Sequence, residues 1–315
     1  MYISSIIPIT YGLFELTTGQ GNLVTEGYVR VQSCFNHPAH FSMYLMFMFC
    51  LSYATLLDNK AKYPYLQFAY IGVILLLLGA TYTRISWIGT IVCFVYLSWV
   101  YGRKRYAIAA FIFGAMTVPV LGQDLLSRMK DIEVFFASGE LMDRNNSMGW
   151  RFYFWTNLIE EWKAQPWFGY GTGSSVVFGK ELMGVWTSPH NGYLRVLYET
   201  GFVGFMAFMW VIWTMLAQAV RLLRQNLNQD VKLVAHIYVT MTIAYLILNL
   251  TDNILEYYEV AIYNWAILSL VEYTNKVGEE EGIFDEYPDD EPALVASDRL
   301  VQIAGAPDAD EGSPA

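Results

Sequence analysis

Four residues in this chain have types and neighbours suited to chemistry at a polar–apolar boundary. Arg84 sits in Thr81-Tyr-Thr-Arg-Ile-Ser-Trp between two long apolar runs. A charge at that depth is costly and normally has a partner or a task. The plainer alternative is an arginine that snorkels to anchor a helix end. Arg151 opens the aromatic stretch Gly149-Trp-Arg-Phe-Tyr-Phe-Trp, as a functional cation or as a surface arginine stacked on tryptophan. Arg30 precedes Phe35-Asn-His-Pro-Ala-His, as a ligand or as a loop charge. His190 lies in Ser188-Pro-His-Asn-Gly-Tyr-Leu at a helix start. An imidazole titrates near neutrality and can take a proton from a hydroxyl, although a capping histidine would look the same. His37 and His40 share a helix face without a third ligand and read as structural. His236 lies inside an apolar run and reads as a hydrogen-bonded packing residue.

Arginines beside a histidine suggest one kind of reaction. Guanidinium groups match phosphate oxygens in a bidentate way, and an imidazole can activate an acceptor hydroxyl. Displacement of a lipid pyrophosphate from a sugar needs both, with the arginines neutralising the leaving group as its charge develops. The sequence has no DxD, HExxH or CxxC cluster, and Cys34, Cys50 and Cys93 suggest neither a zinc site nor a disulfide framework. No metal or cofactor is expected.

The elements that would position these residues are membrane helices. The chain is 55% hydrophobic and only 15% charged, where soluble domains carry about 25% charged residues. Its mean hydropathy is +0.32. Lipid must therefore cover much of the surface. Inside lipid a helix satisfies its own backbone, so the expected fold is an all-α, polytopic membrane protein. The net charge of −10 belongs to the end of the chain: residues 278–315 hold twelve acidic residues against Arg299 alone. That segment reads as a solvated, disordered tail.

Six uncharged runs are long enough to span a bilayer: 41–57, 65–83, 85–102, 106–123, 201–220 and 233–251. A seventh, 257–271, is shorter and carries Glu259. Residues 2–13 contain Pro8 and are too short to cross. The sequence shows no n-h-c pattern of a cleaved signal peptide. Basic residues mark the cytoplasmic links, and here they are Lys60 and Lys62, Arg103-Lys104-Arg105, and Arg221, Arg224 and Lys232. The expected layout is an extracytoplasmic or interfacial segment 1–40, four spans in 41–123, an extracytoplasmic loop 124–200, three spans in 201–272 and an acidic cytoplasmic tail 273–315. In that loop 150–162 reads as an amphipathic helix, 165–173 as a glycine-rich tight loop, and a second helix begins near Pro189. A loop this long and aromatic is more often functional than idle.

Four passages resemble the bacterial O-antigen ligase and O-antigen polymerase superfamily. They are RVQSCFNHPAHFSMY from Arg30, TRISWIG from Thr83, RFYFWTNLIEEWKAQPWFGYGTG from Arg151, and HNGYLRVLYETGFVG from His190. Thr83 stands where the family pattern has serine. The combination, from Arg30 to about Val271, is more specific than any one motif. The resemblance implies a metal-independent transferase of C-type glycosyltransferase-like helical fold, in a bacterial cytoplasmic membrane with its active face outside. It implies an undecaprenyl-pyrophosphate-linked glycan as donor, another glycan or a lipid A core as acceptor, membrane lipid as surroundings and no nucleic acid. Arg84 and Arg151 would hold the pyrophosphate and His190 would be the base. Arg30, Glu199, Asn191 and Tyr193 match recurrent positions and are expected to contact substrate. Family members carry further spans ahead of the Arg30 region, so the chain is expected to lack the N-terminal spans. Two other classes compete: a transporter or flippase of lipid-linked glycan, and a non-catalytic membrane scaffold. The six strong runs contain no Asp, Glu, Lys or Arg, which disfavours a transport path through mid-span charges.

Overall fold

The structure is a computed structural model that describes residues 2–23, 29–103, 149–224 and 229–254, with isolated positions at 105 and 108 and between 257 and 276. The expected span 106–123 apart from Ile108, residues 258–261, 264 and 270–271 of the expected span 257–271, residues 124–148 and the acidic tail from 277 lie outside the described residues. Eight helices are described: α1 (Tyr2–Thr18), α2 (Pro38–Leu57), α3 (Pro64–Ala80), α4 (Arg84–Val100), α5 (Gly149–Trp162), α6 (Ser174–Met183), α7 (Gly192–Arg224) and α8 (Gln229–Leu248). A minimal antiparallel ribbon, β1 (Asn22–Leu23) with β2 (Val29–Arg30), joins α1 to α2. Helices α2, α7 and α8 are long and apolar enough to cross a membrane, and α3 and α4 are shorter apolar helices. The chain is an all-α membrane protein.

Helix starts fall slightly outside the uncharged runs. Pro38 and Pro64 occupy first-turn positions of α2 and α3, where a missing N–H costs nothing. His37 caps α2 by accepting the Ala39 N–H at 3.1 Å. Helix α2 is the centre of the bundle, with every residue from Phe41 to Cys50 buried against α3, α4 and α8. Gly89 of α4 allows the closest approach, because a Cβ there would collide with the Met46 thioether. Ser42 and Ser86 share a hydrogen bond of 2.6 Å, and Tyr53 and Ser98 one of 2.7 Å. Such bonds between membrane helices average about 0.6 kcal/mol. They fix the register of α2 on α4 more than they stabilise it. By contrast α7 is nearly bare, with Trp210 and Trp213 exposed by 70% and 67%. An apolar face on that scale needs lipid or protein cover.

The two ends of the bundle differ. At one end Lys60 pairs with Asp58 at 2.9 Å and with Asp230, and Arg103 lies beside the α2–α3 link. The links carrying the basic residues therefore meet there. The other end gathers the starts of α2, α4 and α7 and the ends of α3 and α8. Helix α1 runs parallel to α3: Tyr70 donates to the Ser5 hydroxyl at 2.7 Å, and Gly12 lies against Phe41 and Leu77. It continues past residue 13 to Thr18 because Glu15 has partners. Its carboxylate is buried and accepts the N–H groups of Gln32 and Ser33 at 2.9 and 2.7 Å.

Beyond the second end, α5, α6 and the first two turns of α7 form a small lobe around Phe154, Leu158, Met183 and Tyr198. Gly201, with φ 67° and ψ −172°, breaks α7 where the lobe meets the long apolar helix. The glycine-rich loop satisfies the backbone groups that the break exposes. Phe202 N–H donates to Pro166 O at 2.8 Å, Val203 to Trp167 O at 3.1 Å, and in return Tyr170 and Gly171 donate to the carbonyls of Tyr198 and Glu199 at 3.1 and 2.8 Å. A Cβ on Gly169 or Gly201 would run into the opposing backbone, and both have left-handed φ. Helix α6, flanked by left-handed Gly173 and Gly184, was not expected from sequence.

Gly201→Ala is expected to destabilise the protein by about 1–3 kcal/mol, the usual cost of such backbone strain, and to lower the thermal midpoint in detergent. Gly72→Ala, mid-helix with nothing within 4 Å of the new Cβ, is expected to leave the midpoint unchanged or raise it.

Candidate active site

The segment that carries His190 is clamped to the end of α8. Gly192 N–H lies between two carbonyls, Asn249 O at 2.9 Å and Asp252 O at 3.1 Å. A side chain at 192 would collide with the Asn249 amide oxygen. Asn191 caps α7 by accepting the Leu194 N–H at 3.0 Å, and its amide donates to Leu250 O at 3.0 Å. Tyr193 donates to Leu246 O at 2.7 Å. Asn253 donates to the Ser188 hydroxyl, and the Trp155 indole N–H donates to Pro189 O at 2.6 Å. Held on both sides, His190 adopts φ 48°. That left-handed conformation is uncommon outside glycine and found most at constrained sites.

The clamp brings His190 Nδ1 to 3.1 Å from Asp252 Oδ1. The Asp252 side chain is 12% exposed and that of His190 34%. Burial on its own pushes the Asp252 carboxyl up. The hydrogen bond and charge of His190, the Asn253 N–H at 2.8 Å and the Tyr257 hydroxyl at 3.1 Å outweigh it, and the carboxyl lies below its ordinary value. With Asp252 ionised, Nδ1–H donates to it in either charge state of the ring, and only the neutral ring presents Nε2 as an acceptor.

Other charged and aromatic groups surround this pair. The Trp150 ring meets the imidazole edge-on at 5.3 Å, and the Arg151 guanidinium lies over the same indole at 5.7 Å. Tyr257, which holds Asp252, also lies 4.4 Å from the His40 ring, and His40 is 6.3 Å from His37. His37 is held below its ordinary pKa by burial first, then by the charges of Arg30, His40 and His190, against the opposing Asp252. Arg30 clamps the α3–α4 turn, donating from Nε to Thr81 O at 2.7 Å and from a terminal nitrogen to the Thr83 hydroxyl at 2.9 Å. Arg84, the next residue, begins α4 at this end of the bundle. Its side chain is exposed and makes no hydrogen bond or ion pair among the described residues.

The structure thus brings His190 and Arg151 to one place, with Arg30 on its margin. No contact among the described residues joins Arg84 to Arg151 or His190. Glu199 is elsewhere, buried inside the lobe, where it accepts from Arg195 Nε at 3.0 Å and from the Ser175 hydroxyl. The polar atoms of Asn191, Tyr193 and Glu199 are engaged within the protein. Sequence reasoning missed Asp252 and Tyr257, and gave the tryptophan beside Arg151 only the role of a stacking surface. The available signal was a carboxylate at the boundary of an apolar span, where burial demands a partner. Among the described residues no three His, Cys, Asp or Glu side chains converge as a cation site. A larger cavity of about 530 Å³ lies at the opposite, basic end, lined mainly by apolar side chains such as Leu57, Phe68 and Phe94.

Fold and site define a helical membrane protein with an imidazole–carboxylate pair and arginines at one end of its bundle. The chain belongs to the O-antigen ligase family, whose model matches residues 43–209, from α2 into α7. The match includes Arg84, Arg151, His190 and Glu199 and excludes Arg30 and Asp252. No curated protein matches the chain. Membership brings with it glycan transfer of the ligase or polymerase type, from a lipid-linked glycan to a glycan acceptor.

Asp252, with its carboxyl held low, contributes stability that is complete above the ordinary carboxylate pKa and is lost as pH falls through the depressed value. The difference in thermal midpoint between the native protein and Asp252→Asn is expected to be constant near neutrality and to close below about pH 4. A difference that instead closes between pH 6 and 8 would point to an unpaired carboxylate.

Proposed function

We propose that the protein transfers a glycan from undecaprenyl pyrophosphate to an acceptor hydroxyl at the outer face of a bacterial cytoplasmic membrane, as an O-antigen ligase or a polysaccharide polymerase, with no metal in the reaction. The observation that carries this reading is the His190–Asp252 pair, set at the end of the bundle opposite the basic links. Positive residues mark the cytoplasmic side, so the pair would face outward.

In this reading His190 Nε2 removes the proton of the acceptor hydroxyl as the oxygen attacks the anomeric carbon. The bond from that carbon to the pyrophosphate oxygen breaks, and undecaprenyl pyrophosphate departs with the electron pair. Arg84 and Arg151 neutralise the charge growing on it. Asp252 keeps the imidazole in the productive tautomer and stabilises the imidazolium, as a carboxylate does in other histidine-based sites. Arg30, Asn191 and Tyr193 brace the backbone that carries these groups, and Glu199 braces the lobe. The acceptor is a lipid A core oligosaccharide in the ligase case and a further repeat unit in the polymerase case.

A transfer assay with purified protein in nanodiscs and a lipid-linked oligosaccharide tests the reading. His190→Ala and Asp252→Asn are expected to lower kcat by about 10²–10⁴-fold, the range for loss of general base catalysis. Arg84→Ala and Arg151→Ala are expected to lower it with protein expression unchanged. Native rates in His190→Ala would remove the proposed base.

A further inference from the structure

We propose that the pocket between α5, α6 and the start of α7 is a saccharide subsite that grips a sugar of the glycan remote from the reacting bond, an inference that rests on the glycan-transfer reading. The cavity holds about 360 Å³ and is lined by Glu161, Tyr170, Ser174, Phe178, Glu181 and Tyr198. That lies within the roughly 300–1,000 Å³ of small-molecule sites.

Its chemistry suits a polyol with one apolar face. Tyr170 and Tyr198 stack at 4.8 Å with 15° between their planes, and Phe178 lies against Tyr198 at 5.5 Å. Aromatic surfaces of this kind receive the C–H face of a sugar ring. The Tyr198 residue is only 4% exposed, and its hydroxyl, which is not a buried atom left without a partner, belongs to the pocket lining. A hydroxyl on the pocket wall can both donate to and accept from a ligand hydroxyl. The charges of Glu161 and Glu181 both act on that hydroxyl, which places it among them. Ionised carboxylates are acceptors only and take hydrogen bonds from sugar hydroxyls.

Charge fixes the class of sugar further. The lysines close to Glu161 and Glu181 in sequence have other partners: Lys163 pairs with Glu160 at 2.6 Å, and Lys180 lies over the Trp186 ring at 4.1 Å. No ion pair among the described residues joins a cation to the Glu161 or Glu181 carboxyl. The pocket repels pyrophosphate and acidic sugars and accepts neutral or amino sugars. Position separates it from the reacting bond as well. Arg151 and Glu161 lie ten residues apart on α5, on the order of 15 Å along the axis. A sugar in the pocket is then linked to the reacting residue through intervening sugars. It belongs either to the donor glycan or to the acceptor glycan.

The test uses the full chain in nanodiscs and two phosphate-free probes, followed by saturation-transfer NMR. One probe is the oligosaccharide released by mild acid from the host's lipid-linked glycan. The other is the host's delipidated core oligosaccharide. Binding of either by the native protein, weakened roughly 2- to 10-fold in Tyr198→Phe and by about tenfold or more in the double variant Glu161→Gln/Glu181→Gln, is the expected result. The probe that responds identifies the donor or the acceptor as the source. The KM for that substrate should rise with kcat unchanged, and unaltered thermal midpoints exclude misfolding. No binding of either probe, or binding unaffected in both variants, overturns the subsite. Transfer by the native protein is scored separately: normal transfer with unaffected binding rejects the pocket alone, whereas absent transfer rejects the glycan-transfer reading. His190→Ala should lose transfer while binding the probe like the native protein.

Discussion

The joint between the start of α7 and the end of α8 governs the site. Gly192 N–H meets two carbonyls of the 249–252 turn, and Asn191, Tyr193 and Asn253 complete the join. Each bond is modest, at about 0.5–1.5 kcal/mol net. Together they leave His190 one backbone conformation, a left-handed one, and one neighbour, Asp252. The dependence runs both ways. A buried carboxylate at a membrane boundary is tolerable only when its oxygens are satisfied, and His190, Asn253 and Tyr257 satisfy them. Removing one member of a buried pair costs about 3–5 kcal/mol. The partial exposure of His190 places this pair below that range, so its geometry serves orientation more than stability.

The second constraint is the close crossing of two backbones, the 166–171 loop and the break in α7. Gly169 and Gly201 are glycines because each Cβ would occupy the other segment's main chain. That crossing holds the lobe on the membrane helices, and the lobe holds Trp150 and Arg151 against His190. The distribution of charge follows the same architecture. Cations and imidazoles gather at the bundle end around the joint, carboxylates face the lobe's pocket, and lysines and arginines hold the far end.

Much of the helical frame was legible. Apolar runs at 41–57, 65–83, 85–102 and 233–251 became α2, α3, α4 and α8 with ends shifted by a few residues, because proline and capping side chains extend a helix beyond its uncharged stretch. The run at 201–220 became the second part of α7, and the helix expected to begin near Pro189 is its first part, starting at Gly192 and joined to the run across the Gly201 break. Helix α6 escaped notice because Val176, Val177 and Gly179 weaken its helical signal and its stability comes from burial of Ser175, Gly179 and Met183. His190 and Arg151 were visible from type and spacing. Asp252 was not, because it lies 62 residues from His190 and only the tertiary joint brings the two together. Asn191, Tyr193 and Glu199 looked like ligands because polar residues near a histidine at a helix start can either bind or brace, and the pattern alone does not separate the two.

The most direct test is a cryo-EM structure of the full chain in nanodiscs with undecaprenyl pyrophosphate bound. Pyrophosphate density at the joint end, contacted by Arg84 and Arg151 and facing His190, is the expected result. Density at the opposite end, beside Arg103 and the α2–α3 link, would contradict the assignment of the His190–Asp252 pair as the reacting centre.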